Sequence, residues 1–264
     1  FFIKIIITVG FMKIAMIQYS PLWEEKEKNI QKIDDLLDKT SEADLIILPE
    51  MSLTGFSMNS EKIAEEIDGI SFHYFIKKSR ELKKNIFAGI VERDKKDIFN
   101  SLFHFDENGL IKTVYRKIHP FSMAKENQFY SSTRETVITE INQIKIGLSI
   151  CYDLRFPELY RHYAKSDCEI LVNIANWPIK RINHWDALCK ARAIENLAYF
   201  IGVNRTGTDQ NGFVHNGHSQ IISPMGEIEL ISENEENVLL HEIDLEKVKT
   251  TREHLNFLDD IKLI

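Results

Sequence analysis

Three side chains whose combined chemistry is that of a nucleophilic enzyme each stand at the end of an apolar run typical of a buried strand. They are Glu50, Lys117 and Cys151. Ligands of open α/β sheets collect beyond the carboxyl ends of strands, so we expect these side chains to converge. A thiolate attacks electrophilic carbon, a nearby carboxylate accepts the thiol proton, and an ammonium group stabilises the anion that forms. The set predicts catalysis by a cysteine nucleophile.

Each of these residues also fits an ordinary structural role, and position alone leaves the choice open. Cys151 fits a buried core cysteine, which is the commoner fate of an isolated cysteine. Glu50 fits a cap of the turn after Pro49, and Lys117 fits a solvated lysine beside Arg116. The catalytic interpretation therefore needs support beyond the position of each residue.

Motifs that would indicate other chemistry are incomplete. Gly147-x-Ser149-x-Cys151 has cysteine where the hydrolase motif G-x-S-x-G ends in glycine, so a Ser149 nucleophile is not expected. His215 and His218 lie on a predicted strand, where residues three apart point to opposite faces and chelate poorly. Because zinc, phosphate-loop and metalloprotease motifs are also missing, we expect neither a metal nor a cofactor.

Two further pairs of residues have two interpretations each. Cys168 and Cys189 fit either core or surface positions, because one lies at a predicted helix–strand junction and the other in a predicted helix. Trp177 and Trp185 fit either the lining of a pocket or packing in the core. None of the four carries a functional assignment from its position alone.

Strands and helices alternate along the chain, with hairpins between them, which predicts an α/β fold of two mixed sheets with helices outside. Pro157 fits the first turn of a helix, Asn183 fits an N-cap, and Gly69 fits a break in a helical stretch. Predicted strands are 14–18, 45–48, 86–91, 98–105, 110–115, 137–141, 144–150, 170–175, 199–204, 213–223, 227–232 and 238–243; predicted helices are 24–39, 61–84, 157–165 and 183–197.

The chain of 264 residues has no Pro/Ser-rich linker, so we predict one domain over residues 12–264. Residues 1–11 are apolar, but they are too few to span a bilayer. We expect them to come from an upstream start or an added extension, with Met12 as the natural start. No other run is long enough to cross a membrane, so no membrane association is expected.

Composition limits the compartment and the partners. Lys plus Arg is 33 and Asp plus Glu is 40, a net charge of −7, whereas nucleic-acid binders carry a basic face. No nucleic-acid partner is therefore expected. An odd, sparse set of three cysteines implies no disulfide framework and favours a reducing, cytoplasmic setting.

Three motifs together resemble the nitrilase superfamily of carbon–nitrogen hydrolases. They are Leu-Pro-Glu50, Tyr-Arg-Lys117-Ile-His and Cys151-Tyr-Asp-Leu-Arg-Phe-Pro-Glu, in the order of the family's Glu–Lys–Cys triad. The resemblance covers essentially all of 12–264. It implies a four-layer α-β-β-α sandwich, a small-molecule amide substrate, and assembly as a homodimer or larger homo-oligomer.

Within that superfamily the chain is most similar to omega-amidases, which hydrolyse the terminal amide of 2-oxoglutaramate and 2-oxosuccinamate. The resemblance implies a second buried glutamate near the triad, for which Glu126 is the candidate, and an oxyanion held by Lys117 and the backbone N–H of Tyr152. Arg155 is a candidate partner for a substrate carboxylate, and Trp177 for the pocket lining. A structural pairing of Arg155 with Asp153 or Glu158 is the equal alternative.

Two other interpretations remain open. N-carbamoyl hydrolysis, aliphatic amide hydrolysis or nitrile hydrolysis would keep the triad and change the pocket. A non-catalytic binding scaffold with the same fold is a different class, which loss of a triad residue would favour. All three triad residues are present in this chain.

Overall fold

Two six-stranded mixed sheets face each other in the computed structural model, which describes residues 10–263. In spatial order the first sheet contains β14 (Asn237–Asp244), β1 (Phe11–Gln18), β2 (Leu45–Ile47), β3 (Asn85–Asp94), β4 (Asp97–Phe105) and β5 (Ile111–Arg116). The second contains β13 (Ile228–Ile231), β12 (Gln220–Ile222), β9 (Tyr199–Asn204), β8 (Ile170–Ala175), β7 (Ile144–Ile150) and β6 (Ile138–Ile141). A separate hairpin consists of β10 (Thr206–Thr208) and β11 (Val214–Asn216).

The described part of the chain has six α-helices. They are α1 (Lys26–Leu37), α2 (Ser60–Ile63), α3 (Ile70–Leu82), α4 (Pro157–Lys165), α5 (Ile182–Asn196) and α6 (Glu246–His254). Apolar residues of α1 and α3 share one core cluster with the first sheet, while those of α4 and α5 pack on the second. The four-layer α-β-β-α sandwich is therefore confirmed.

The alternation of side chains along a strand divides the core into layers. In β1, Ile14 and Met16 belong to the cluster between the sheets, whereas Ala15 and Ile17 belong to the cluster under α1 and α3. This is the two-residue period of a strand covered on both faces. All six residues of β8, a parallel central strand, are buried, as its nearly continuous apolar run predicts.

The predicted helical stretch 61–84 is broken near Gly69, as expected. α2 ends at Ile63, and α3 begins after Gly69. A Cβ at Gly69 would lie 2.3 Å from Oε2 of Glu65, so only glycine fits this approach. That oxygen accepts the backbone N–H of Ser71, which satisfies a free donor in the first turn of α3.

Two predicted elements are wrong in detail. The predicted strand 213–223 is two strands, β11 and β12, because Gly217 and His218 both have positive φ angles and turn the chain between them. Asn183 is not an N-cap. A 3-10 turn over Ile179–Arg181 leads directly into α5, so the helix starts at Ile182 and Asn183 lies in its first turn.

The last strand lies beside the first one. β14 pairs antiparallel with β1, with Met12 opposite Ile243, and Phe11 opposite Asp244 belongs to the same ladder. Phe11, the last residue of the predicted extension 1–11, is therefore part of the first sheet, and the first nine residues lie outside the described part. Within residues 10–263 no helix has the length and apolar character needed to cross a membrane.

Candidate active site

Lys117 and two glutamates meet in a fully buried cluster between the sheets. The Nζ atom of Lys117 lies 2.9 Å from Oε1 of Glu50 and 2.9 Å from Oε2 of Glu126. The side chains of all three are at most 1% exposed. The interpretation of Lys117 as a solvated lysine is therefore wrong, and Glu126, the candidate for the second glutamate that the resemblance implies, is buried against Lys117.

Two asparagines hold the Glu50 carboxylate. It accepts hydrogen bonds from segments far away in the sequence and does not cap its own turn. Asn100 in β4 donates its side-chain amide to Oε1 at 2.7 Å, and the backbone N–H of Asn176 donates to Oε2 at 2.8 Å. The side chain of Asn176 also donates to the backbone carbonyl of Glu50 at 2.7 Å. These contacts orient Glu50. Neither asparagine was predicted from the sequence to have a role in the site. The available signal was a polar residue inside or directly after an apolar run.

Close approach of β3 to the turn after β2 depends on one glycine. A Cβ at Gly89 would lie 2.5 Å from the backbone nitrogen of Met51 and 2.8 Å from the Cα of Glu50. Met51 has a φ of +47°, so this turn is also sharply bent. The absence of a side chain at Gly89 lets the segment that carries Glu50 lie directly against the sheet.

The charges of the cluster act on one another. Burial alone would lower the pKa of Lys117, but Glu126 and Glu50 outweigh it and hold that pKa well above its ordinary value. Burial raises the pKa of Glu126 against the opposing effect of Lys117. Lys117 therefore remains a cation, and the cluster places a fixed positive charge next to the nucleophile candidate.

Cys151 stands at the end of β7, where the chain turns sharply. Its φ is +46°, an unfavourable value for a residue with a side chain, and a 3-10 turn over Cys151–Arg155 begins there. Its side chain lines a cavity and is half-buried, so the core-cysteine interpretation is wrong. Burial and then Glu50 raise the pKa of the thiol well above its ordinary value. By contrast, Cys168 and Cys189 are core residues.

A buried carboxylate two residues after the nucleophile candidate organises the surrounding backbone. Oδ2 of Asp153 accepts the N–H of Ile150 at 3.0 Å and the hydroxyl of Tyr115 at 2.7 Å. Oδ1 lies 2.9 Å from the backbone nitrogen of His119, which donates to it, and 2.8 Å from Nδ1 of the same residue. Asp153 therefore ties the Cys151 turn to the segment that follows β5 and carries Lys117.

The cavity in front of Cys151 has a volume of about 450 Å³. Its walls include the tip of the β10–β11 hairpin and the side chains of Phe121, Met123, Ala124, Tyr152, Arg155 and Trp177. Trp177 therefore lines the pocket, as predicted. Trp185 does not: it is fully buried, and its ring lies 2.7 Å from where a Cβ of Gly202 would stand.

Arg155 faces the cavity and has no ion pair with Asp153 or Glu158. Its Nη2 lies 3.2 Å from Nδ1 of His184, and its guanidinium lies 4.8 Å from the ring centre of Trp177. The predicted structural pairing with a neighbouring carboxylate is therefore wrong. The Arg155 cation is free to meet an anionic ligand.

His215 and His218 do not form a metal site. His215 lines the cavity, while Nδ1 of His218 lies 3.1 Å from the Asp186 carboxylate, in the irregular segment between β11 and β12. Across residues 10–263 there is no group of three or more histidine, cysteine or acidic side chains arranged to hold a metal ion.

Comparison with known proteins gives the family of this chain. The carbon–nitrogen hydrolase family model matches residues 13–253. The chain belongs to the carbon–nitrogen hydrolase family. It is 35% identical to a 2-oxoglutaramate amidase of Bacillus subtilis, over 94% of this chain and 97% of that protein. It is 34% identical to an omega-amidase of Yersinia enterocolitica, over 94% of this chain and 96% of the relative.

A solved structure is similar over nearly the whole chain. The carbon–nitrogen hydrolase superfamily protein of Xanthomonas campestris, solved with an arsenic adduct in its active site, superposes with a TM-score of 0.92. It is 30% identical, and the match covers 96% of this chain and 98% of that one. This member of the carbon–nitrogen hydrolase family is thus an enzyme acting on carbon–nitrogen bonds other than peptide bonds. The non-catalytic scaffold is left without support.

Proposed function

We propose that this carbon–nitrogen hydrolase cleaves the terminal amide of short dicarboxylate monoamides through a thioester on Cys151. The substrates would be 2-oxoglutaramate, 2-oxosuccinamate and succinamate. The observation that carries the proposal is that Cys151 and the free Arg155 cation line one cavity, while the charges of the buried Lys117–Glu50 pair act on the Cys151 thiol. The names of the amidase relatives support the same substrate class.

The first step would transfer a proton and form the carbon–sulfur bond. Because the pKa of Cys151 is raised, the resting residue is a thiol, and the proton must leave as sulfur attacks the amide carbonyl. Glu50 is the acceptor, since its charge is near enough to raise the pKa of that thiol and its carboxylate is held by Asn100 and Asn176.

Attack would place a negative charge on the carbonyl oxygen. Lys117 has three N–H donors and contacts two carboxylates, so one donor remains for the oxyanion when each carboxylate takes one. The backbone N–H of Tyr152 lies in the first turn after Cys151, where such donors have no partner within the turn. A preorganised pair of donors of this kind favours the transition state over the planar amide.

Collapse of the tetrahedral intermediate would break the carbon–nitrogen bond. The leaving nitrogen takes the proton held by Glu50 and departs as ammonia, which leaves an acyl group on Cys151. Glu50 then accepts a proton from a water molecule that attacks the thioester. As the tetrahedral intermediate collapses, Glu50 returns that proton to the departing sulfur, which regenerates the thiol, and the product acid ionises to its carboxylate in solution. One carboxyl group thus serves as base, acid, base and acid in succession.

A substrate panel with an Arg155→Leu variant tests the proposal. Ammonia release should show a higher kcat/KM for succinamate and 2-oxoglutaramate than for butanamide, acetamide or nitriles. Loss of a charge-assisted contact is worth about 1.5–3 kcal/mol, so the variant should lose about 10- to 150-fold on the carboxylates and little on butanamide. Equal losses on both types would make Arg155 structural. A wild-type preference for acetamide or a nitrile would refute the substrate class.

We also propose a cytoplasmic, homo-oligomeric enzyme. The cysteines among residues 10–263 are all unpaired, which suits a reducing compartment. The family resemblance supports the assembly. Light scattering coupled to size exclusion should give a mass that is a multiple of 30.8 kDa. A mass of one chain at micromolar concentration would contradict the assembly.

A further inference from the structure

A second guanidinium in the cavity has no assignment in the mechanism above. Arg181 lies at the end of the 3-10 turn before α5 and lines the cavity, with its guanidinium 5.3 Å from the ring centre of Phe121. Within the described part of the chain this guanidinium makes no hydrogen bond and no ion pair. An arginine carries five N–H donors, so all five are available to a ligand.

The two arginines of the cavity are not neutralised by its lining. Burial, with Arg155 as a nearby like charge, lowers the pKa of Arg181. Asp209 is the one carboxylate among the lining residues that the structure describes, and its Oδ1 already accepts the backbone N–H groups of Asn211 and Phe213. The cavity thus presents two cations without a contacting anion.

The neighbouring histidine does not change this balance. Burial, with Arg205 as a second cause, lowers the pKa of His215 to about 4, so its ring is neutral near pH 7. Two unpaired cations in a partly buried cavity are unfavourable until a ligand supplies a negative charge. A carboxylate suits this role, because its two oxygens can each accept from a planar guanidinium fork.

We propose that Arg181 and Arg155 together bind the carboxylate at the end of the substrate that lies farthest from the amide, and that Arg181 determines specificity against amino acid amides. The inference rests on the proposed function, which supplies the nucleophile and the scissile amide. An ammonium group next to the carboxylate would lie near two guanidinium cations and be repelled. A 2-oxo group adds no charge and offers one more acceptor to the available N–H donors.

Three substrates with the same five-carbon chain and terminal amide separate these effects. Glutaramate carries the carboxylate, L-glutamine adds an amino group beside it, and pentanamide lacks both. We expect Arg181→Met to lower kcat/KM for glutaramate about 10- to 150-fold and for pentanamide by less than about threefold. The ratio of glutaramate to glutamine kcat/KM should fall at least about tenfold. Lys180→Met is the matched control, since Lys180 is exposed and outside the cavity lining.

Charge rescue and coupling distinguish this role from a structural one. Arg181→Lys should recover part of the glutaramate activity and most of the discrimination against glutamine. The Arg155→Met/Arg181→Met double variant should lose less than the product of the single losses, because both residues hold one carboxylate. Thermal unfolding would confirm that each variant is folded, and Arg181→Gln replaces Arg181→Met if the latter is not.

The outcomes separate two failures. Equal losses of Arg181→Met on glutaramate and pentanamide, or an unchanged glutaramate-to-glutamine ratio, would overturn the role of Arg181. A wild-type enzyme that prefers pentanamide to glutaramate would overturn the proposed function instead. If the wild type prefers glutaramate and Arg181→Met keeps that preference, the proposed function stands and only this inference fails.

Discussion

Replacement of Lys117 by glutamine should reduce both the rate of catalysis and the stability of the fold, for separate reasons. Glutamine keeps hydrogen-bonding capacity but removes the charge. Without it, the oxyanion loses a cationic donor, and kcat should fall at least about 100-fold. The buried carboxylates of Glu50 and Glu126, each 2.9 Å from Nζ in the wild type, lose the one cation among residues 10–263 that contacts them directly.

The stability loss follows from that burial. Removal of one partner from a buried ion pair costs about 3–5 kcal/mol, and two carboxylates here place the expected value near about 5 kcal/mol. In a chain of this size each kcal/mol shifts Tm by about 2–4 °C, so Tm should fall by about 10–20 °C. Carboxylates without their cation favour the protonated form, so the deficit should widen as pH rises from about 5 to about 8.

Thermal unfolding at several pH values and ammonia release with saturating glutaramate measure the two effects. Lys112→Gln, on β5 directly before the segment that carries Lys117 but exposed, controls for the loss of one charge. A kcat within about threefold of the wild type would show that Lys117 does not stabilise the transition state. A Tm shift below about 3 °C would refute the account of the buried cluster.

Two further variants test the nucleophile and a buried histidine. Cys151→Ala should abolish ammonia release and change Tm by only a few degrees. In mass spectrometry, wild-type enzyme quenched with substrate should carry an added acyl mass on the peptide that contains Cys151. Residual turnover in the variant would refute the thioester. Burial lowers the pKa of His104 to about 3, so its stabilising effect is present above its unfolded pKa of about 6.5 and is lost as pH falls below that value. In urea titrations the free energy of unfolding should decrease between about pH 7 and pH 5, and this decrease should be about 2 kcal/mol smaller in His104→Gln than in the wild type. An equal decrease in both proteins would contradict this.

Elements with strong local signals were predicted with correct bounds. β7 has an apolar residue at every second position, β8 and β9 are nearly continuous apolar runs, and α4 starts at a proline that fixes the first helical turn. Glu50, Lys117 and Cys151 were identifiable because each follows such a run and sits in a recognisable motif. Local sequence signals and the positions of strand ends were therefore enough to predict most of the fold and the three residues at the centre of the site.

The remaining parts of the site depend on contacts between distant segments. Asn100 lies in the middle of β4, and only the folded chain shows that it contacts both Glu50 and Glu126. The interruption at Gly217 is invisible to hydrophobic alternation, which does not report backbone angles. The role proposed for Arg181 depends on the cavity that it lines together with Arg155. Neither local spacing nor composition predicts that the two residues share this cavity.

The reactive residues lie at the ends of sheet strands, whereas part of the cavity wall lies in a hairpin loop, and this difference has a practical consequence. Glu50 and Cys151 follow interior strands of the two sheets, whereas the 209–213 tip belongs to a hairpin outside both sheets. The tip can therefore be exchanged between homologous enzymes as a cassette, while the strands that position the reactive residues stay unchanged. Laboratory evolution aimed at new amides should accumulate its successful changes in that cassette, while Gly89 stays invariant because any side chain there would displace Glu50.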